Sequence, residues 1–350
     1  MLRTLSLSLF ALAGSLSAQT GVATYEVVFD ATWSATSHPG AFPFNAHFSA
    51  LIGAVHSDAV SLWEPGGIAT PGIEIMAETG GTGTLTSEIN ALISQGTALE
   101  RISGNSAFPP VMVSDTFEVT TEHSQVSVVT MIAPSPDWFV GVHGLELFEN
   151  GRFVDEITVP LFAYDSGTDA GVDFTSGNSD VTPHEPIEQM TMGPFFGTTP
   201  LGTFTFRRLT SNQTYGSGLN PAGSLTLVGD TPVVGGTVTY SIDDPTGTMA
   251  SPAVPVLFYS GQSAPGFPNS GVMLANFGMA GAGMPSELLI MNPLPVLQSV
   301  PQWTGGQPVD FTLSVPNDPS LAGQSFFLQG ALADGLRFGL TEANAATIGE

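Results

Sequence analysis

Leu145-Glu146-Leu147-Phe148-Glu149-Asn150-Gly151-Arg152-Phe153-Val154 is two strand-like runs joined by Asn-Gly. Asn and Gly tolerate the two positive φ angles of a type I′ turn, whose twist matches that of paired strands, so the stretch reads as a β-hairpin. Upstream, residues 126–132 (VSVVTMI) form a nearly continuous apolar run that suits a buried strand. Farther upstream, residues 25–29 alternate in part and are rich in β-formers. One helix is expected, over 87–94, with Ile89, Leu92 and Ile93 on one face and Gly96 as its stop. Downstream, residues 225–228, 236–241, 254–259, 311–315 and 325–331 are short strand candidates separated by Gly and Pro. Many short strands and few helices indicate an all-β protein of sandwich or barrel type.

Composition agrees. The 350 residues include 41 Gly and 27 Pro, which break the chain too often for long helices. Apolar residues make up 42% and charged ones 11%, enough to build a core and too little charge for a disordered chain. The formal charge is −25, with six Arg and no Lys. Such a polyanion has no electrostatic attraction to nucleic acid or to an anionic membrane surface. Cysteine is absent, which removes disulfides, thiolate nucleophiles and cysteine zinc sites.

The N-terminus reads as an export signal over residues 1–18. Arg3 precedes a mostly apolar run at 4–16, and small residues follow at Ser15, Ser17 and Ala18. The run is too short to span a bilayer, and no later segment reaches that length without Gly, Pro or charge. A secreted, extracellular or cell-surface protein is expected. The remaining length suggests two domains, 19–210 and 211–350. Residues 20–210 carry 22 acidic side chains and four Arg, residues 211–350 nine and one. The polar, Gly- and Pro-containing segment 211–223 reads as the linker between them.

Two loops carry the chemistry. In Tyr164-Asp165-Ser166-Gly167-Thr168-Asp169-Ala170-Gly171-Val172-Asp173 a carboxylate recurs every four residues among small residues. Gly167 and Gly171 allow the backbone to curl, and converging carboxylates repel one another unless a cation lies between them. Oxygen ligands on an irregular loop suit Ca²⁺ better than Mg²⁺ or zinc. The second loop, Ala133-Pro134-Ser135-Pro136-Asp137-Trp138-Phe139-Val140-Gly141, follows the apolar strand. Its prolines restrict the backbone, Trp138 can anchor it, and Asp137 is expected to point outward as a ligand.

These segments resemble the spondin N-terminal domain, a module of extracellular-matrix proteins. The resemblance spans about residues 24–190. It rests on PSPDWFVG (134–141) and DSGTDAG (165–171), with Trp33, His38-Pro39, His47-Phe48-Ser49, Trp63-Glu64-Pro65-Gly66-Gly67, Ala77-Glu78-Thr79-Gly80 and Pro186-Ile187 in support. It implies a C2-like antiparallel β-sandwich with a short helix and a Ca²⁺ at one end. Carried over by motif, the metal ligands are Asp137, Asp165 and Asp169, with backbone carbonyls and water completing the shell. Asp173 is left outside that set. The cysteines typical of animal members are missing here. The stretch Val315-Pro316-Asn317-Asp318-Pro319 onward is similar to a C-terminal β domain of exported bacterial proteins.

No hydrolase or metalloprotease motif is present. His56-Ser57-Asp58 holds triad residue types, but adjacent side chains point apart. The reading is therefore two β-sandwich domains forming a secreted, non-enzymatic, calcium-binding adhesion or matrix protein. Its partner would be an extracellular protein or glycan, with no nucleic acid and no membrane span. The alternative is a secreted carbohydrate-active enzyme or glycan-binding module, with Trp33, Trp63 and Trp138 as a stacking platform. A third reading is a structural surface protein whose second domain serves export or attachment.

Overall fold

The apolar run at 126–132 is the spine of the first half. In the computed structural model, which describes residues 21–195 and 199–350, it lies within a strand covered on both faces. Val126, Val128 and Ile132 face one core while Val129, Met131 and Ala133 face another. That is why the pattern is continuous rather than alternating. The expected export signal lies outside the described residues.

In chain order the first half contains β1 (Gly21–Ala31), β2 (His47–Phe48), β3 (Ile52–His56), α1 (Pro71–Thr79), α2 (Gly83–Ser94), β4 (Ala98–Ser103), β5 (Val111–Thr120), β6 (Gln125–Ala133) and β7 (Trp138–Glu146). It continues with β8 (Phe148–Glu149), β9 (Arg152–Phe153), β10 (Glu156–Leu161), β11 (Tyr164–Asp165), β12 (Glu188–Gln189) and β13 (Gly202–Tyr215). The second half contains β14 (Leu225–Val228), β15 (Thr237–Ile242), β16 (Val254–Ser260), β17 (Val272–Leu274), β18 (Ser286–Leu288), β19 (Leu294–Pro295), β20 (Val309–Ser314), β21 (Ser325–Ala333) and β22 (Phe338–Thr347). All named strand pairs are antiparallel. The expected hairpin is present as β8–β9, with Glu149 opposite Arg152 and positive φ at Asn150 and Gly151.

Two sheets form the first sandwich. One has β5, β1 and β13 side by side, with β10 on the outer edge of β13; the other runs β12-β11-β7-β6-β3-β4. Alternate residues of β1 (Tyr25, Val27, Phe29) meet Phe204 and Phe206 of β13 and Val126 and Val128 of β6 in the core between them. The other face of the second sheet is covered by the helices, through Ile73 and Met76 of α1 and Leu85 and Ile89 of α2.

The sequence reading anticipated α2, four residues shorter than it is, and missed α1. Thr70-Pro71-Gly72 looks like a turn, yet it is a helix start. The Thr70 hydroxyl accepts from Ile73 N, and Pro71 occupies the first turn, where a missing N–H costs nothing. Glu88 of α2 completes the cap, accepting from Gly72 N and from the Thr70 hydroxyl, each at 2.7 Å.

The boundary expected near 210 falls inside β13. The segment read as a linker from 211 is strand as far as Tyr215, because its polar side chains have buried partners. Asn212 accepts from the Tyr240 hydroxyl at 2.7 Å and donates to Asn344 at 3.0 Å, and Asn344 donates to the Leu225 carbonyl at 3.0 Å. One edge of β13 is divided. Residues 202–207 pair with β10, and residues 211–215 pair with β22 of the second half. The long sheet continues through β22, β21 and β16 to β19, and the three-stranded sheet β14-β15-β20 closes over it around Tyr240, Trp303, Phe311 and Leu328. Asn212 heads a glycosylation sequon but is buried in this seam.

Glu342 of β22 lies at the same seam and accepts from Gly223 N at 2.7 Å. Burial pushes its carboxyl up to about 7, opposed by the amides around it. The folded state therefore holds this proton more tightly than the unfolded state. The stabilisation is full below about pH 4.5 and is lost as pH rises through 7. Glu342→Gln should flatten the fall in melting temperature across that window, a difference worth up to about 3 kcal/mol.

Candidate metal centre

Asp137 ends the loop between β6 and β7. Pro134 and Pro136 restrict that loop, and the Ser135 hydroxyl accepts from Trp138 N at 3.1 Å. Trp138 is buried and anchors the turn, as expected. Asp137 is a correction. It does not point outward; it is 0% exposed and turned beneath the loop after β11. Its Oδ2 accepts from the Ser166 hydroxyl and Thr168 N, each at 2.9 Å, and from Asp169 N at 3.1 Å. A carboxylate gains more from several amide and hydroxyl donors than from an exposed position, and the DSGTDAG loop wraps it to supply them.

Asp165 reaches the same place through sheet register. β11 pairs with β7 so that Asp165 lies opposite Trp138, one residue from Asp137. Its Oδ1 accepts from Gly167 N at 2.9 Å. Burial, and then the charge of Asp137 beside it, push its carboxyl up to about 6. Asp137 Oδ1 is buried and has no hydrogen-bond partner. Trp138 Nε1 is also without one of normal geometry, although it lies close enough to Asp165 to favour that group's charged form.

Asp169 is buried at 6% exposure, but its carboxylate is turned to the loop backbone. Oδ1 accepts from Gly171 N and Oδ2 from Ser179 N, each at 2.7 Å. The structure thus brings Asp137 and Asp165 together and gives Asp169 a loop-holding role beside them. Asp173, with no burial, caps its own turn through Thr175 and Ser176. Glu78, near the end of α1, stands in the sequence only as part of the Ala77-Glu78-Thr79-Gly80 segment. Its carboxyl is raised by burial and by Glu74, Asp169 and Asp137, which places it in the same acidic group. The sequence signal was its position one turn after Glu74, visible only once α1 is recognised.

The loop glycines are fixed by close packing. Gly167 has φ +75°, and a Cβ there would lie 2.2 Å from the Glu185 carbonyl oxygen; at Gly171 it would lie 2.5 Å from Pro136 Cγ. Gly167→Ala should therefore push the loop off Asp137 and cost about 2–3 kcal/mol or more, read as a fall in melting temperature.

The remaining candidates are structural. His56 is fully buried, bonded to the Ser127 hydroxyl at 2.9 Å and to the Ser57 carbonyl at 2.8 Å, and burial lowers its affinity for a proton. It forms no triad with Ser57 and Asp58. Trp33, Trp63, Trp138 and Trp303 are all buried, so none offers a stacking face.

The family profile Spondin_N matches residues 23–199, half of the chain, and covers both Asp loops. The chain belongs to the spondin N-terminal family. The spondin domain here is similar to Spondin-2 of Rattus norvegicus, 33% identical over 227 residues, 60% of this chain and 67% of that protein. Spondin-2 of Homo sapiens is 33% identical over 222 residues, 61% of this chain and 63% of that protein. Spondin-1 of Gallus gallus is 34% identical over 178 residues, 49% of this chain but 22% of that protein. The chain thus spans about two thirds of the Spondin-2 relatives and about a fifth of Spondin-1. Among the described residues no helix is long and apolar enough to cross a membrane.

Proposed function

We propose that this is a secreted, non-enzymatic adhesion or matrix-type protein whose spondin domain binds Ca²⁺ at the Asp137–Asp165 pair. One observation carries the metal reading: a fully buried carboxylate with one oxygen multiply bonded and the other, Oδ1, unpaired beside a second carboxyl. An unpaired buried anionic oxygen is costly; the Asp165 carboxyl relieves it only when it carries a proton, and a cation would take that proton's place between the two carboxylates. The donors are all oxygens, which suits calcium. Asp137 and Asp165 would hold the ion, with backbone carbonyls and water completing the shell, while Asp169 holds the loop beside them. The bound ion would neutralise the pair and lock the two loops at one end of the sandwich.

Membership of the spondin family supports the extracellular assignment, as does the export signal expected from the sequence. The partner would be an extracellular protein or glycan. The second half would serve export or attachment. The burial of all four Trp weighs against the glycan-stacking alternative, and the sealed Ser127–His56 pair against a hydrolase.

Thermal melting with calcium and then with excess chelator tests the metal. Calcium at a hundredfold excess over its dissociation constant should add about 2.7 kcal/mol, with a higher melting temperature that chelator reverses. An unchanged melting temperature, with Asp165→Ala equally silent, would remove the claim.

A further inference from the structure

We propose a second cation site, formed by Glu74, Asp180 and His184 and suited to a divalent transition metal of the zinc class. Among the described residues this is the one set of three metal-ligating side chains whose ligand atoms all lie within 4.8 Å of one another. His184 Nε2 is 3.9 Å from Asp180 Oδ1, too far for a hydrogen bond and close enough to share an ion. The imidazole sets this group apart from the oxygen-only pair at Asp137 and Asp165. One nitrogen with two carboxylate ligands suits Zn²⁺ or Co²⁺ rather than calcium.

The three residues come from elements that are already fixed. Glu74 is on α1, which is seated on the core by Ile73, Met76 and Ala77. Asp180 and His184 lie on an arm laced to the DSGTDAG loop by Ala170 N to the Ser179 carbonyl, Val181 N to the Thr168 carbonyl and Glu185 N to the Gly167 carbonyl, each at 2.9 Å. The Thr182 hydroxyl donates to Asp180 Oδ2 at 2.9 Å, which orients that carboxylate and leaves Oδ1 toward His184. Such outer hydrogen bonds commonly orient metal ligands.

Among the described residues no hydrogen bond is made by the His184 ring or the Glu74 carboxylate. His38, His47, His56 and His123 each spend a ring nitrogen on a hydrogen bond; among the described residues the rings of His143, which packs on Trp63, and His184 make none. Lys and Arg are absent from the group. The chain has no Lys, and the Arg ion pairs among the described residues go to Glu26, Asp155 and Asp334. The counter-charge here comes from protonation of His184 itself or from a cation that takes the proton's place. Glu78, one turn along α1, feels the charges of Glu74 and of Asp169 and Asp137, so the two groups are near neighbours with different ligand sets.

The test titrates the full chain with Co²⁺ in saturating calcium, following the visible d–d bands, with Zn²⁺ as competitor. One equivalent of Co²⁺ should bind and Zn²⁺ should displace it. His184→Ala should abolish the bands and Glu74→Gln should weaken binding about tenfold or more. Both variants should keep the melting temperature of the parent. Asp165→Asn should retain the Co²⁺ equivalent, so this site stands whether or not calcium binds the first. Absence of Co²⁺ uptake, bands unchanged in both His184→Ala and Glu74→Gln, or bands lost in Asp165→Asn would each overturn the proposal.

Discussion

Asp137→Ala should lower stability by about 3–5 kcal/mol and abolish any calcium response. The substitution removes the acceptor of Thr168 N, Asp169 N and the Ser166 hydroxyl, and leaves these donors unpaired in a closed site. It also opens space where the loop after β11 now closes over the carboxylate. For a chain of this size the loss corresponds to a fall in melting temperature of roughly 4–7 °C. Asp137→Asn separates structure from metal binding. The amide keeps an oxygen for the loop donors and the same volume, so most of the fold stability should remain. Its lost charge removes the reason for a cation at Oδ1. Calcium should then leave the melting temperature of Asp137→Asn unchanged while still raising that of the parent. An Asn variant that melts like the Ala variant would mean that the charge itself holds the loop.

Ending the chain at Tyr215 should convert the first half into a self-associating species. The cut leaves β13 complete but strips β22 from residues 211–215. Asn212 loses the Tyr240 hydroxyl and Asn344, and Tyr215 loses its bond to the Leu289 carbonyl. The result is an unpaired edge with two orphaned polar groups beside apolar surface, a template for pairing with another chain. Size-exclusion chromatography should show an apparent mass rising with concentration. Hydrogen exchange should quicken at Gly21–Ala23, which pair with Gln213–Ser211 of the same strand. A fragment that stays monomeric, with β1 protected as in the full chain, would show that the two halves are independent.

The fold was legible where sequence and neighbours are local. The Asn150-Gly151 turn needs only its own backbone, and the apolar run in β6 states its double burial in its composition. Elsewhere the deciding partner is far along the chain. The cap of α1 comes from Glu88, sixteen residues after Gly72. The polar end of β13 reads as linker because Asn344, which makes its burial tolerable, lies 132 residues away. At the candidate site, the two Asp loops were readable from their glycines and prolines. That Asp137 turns inward was not, because its donors belong to the other loop. Glu78 was hidden behind the unrecognised helix, and His184 stands in no motif. Its significance appears only when the arm at 179–185 is laid against α1.

The division of β13 between two neighbours also decides how the protein bears load. Tension entering at the end of β22 reaches the spondin domain first through five residue pairs with β13, whereas β13 is tied to β1 by eleven. Pulled along the strand axis, each ladder resists as a set of bonds loaded together, and the shorter set gives way first. The seam therefore acts as a mechanical fuse. A stretched molecule should part first between β13 and β22, while the spondin sandwich and its Asp137 loops remain folded.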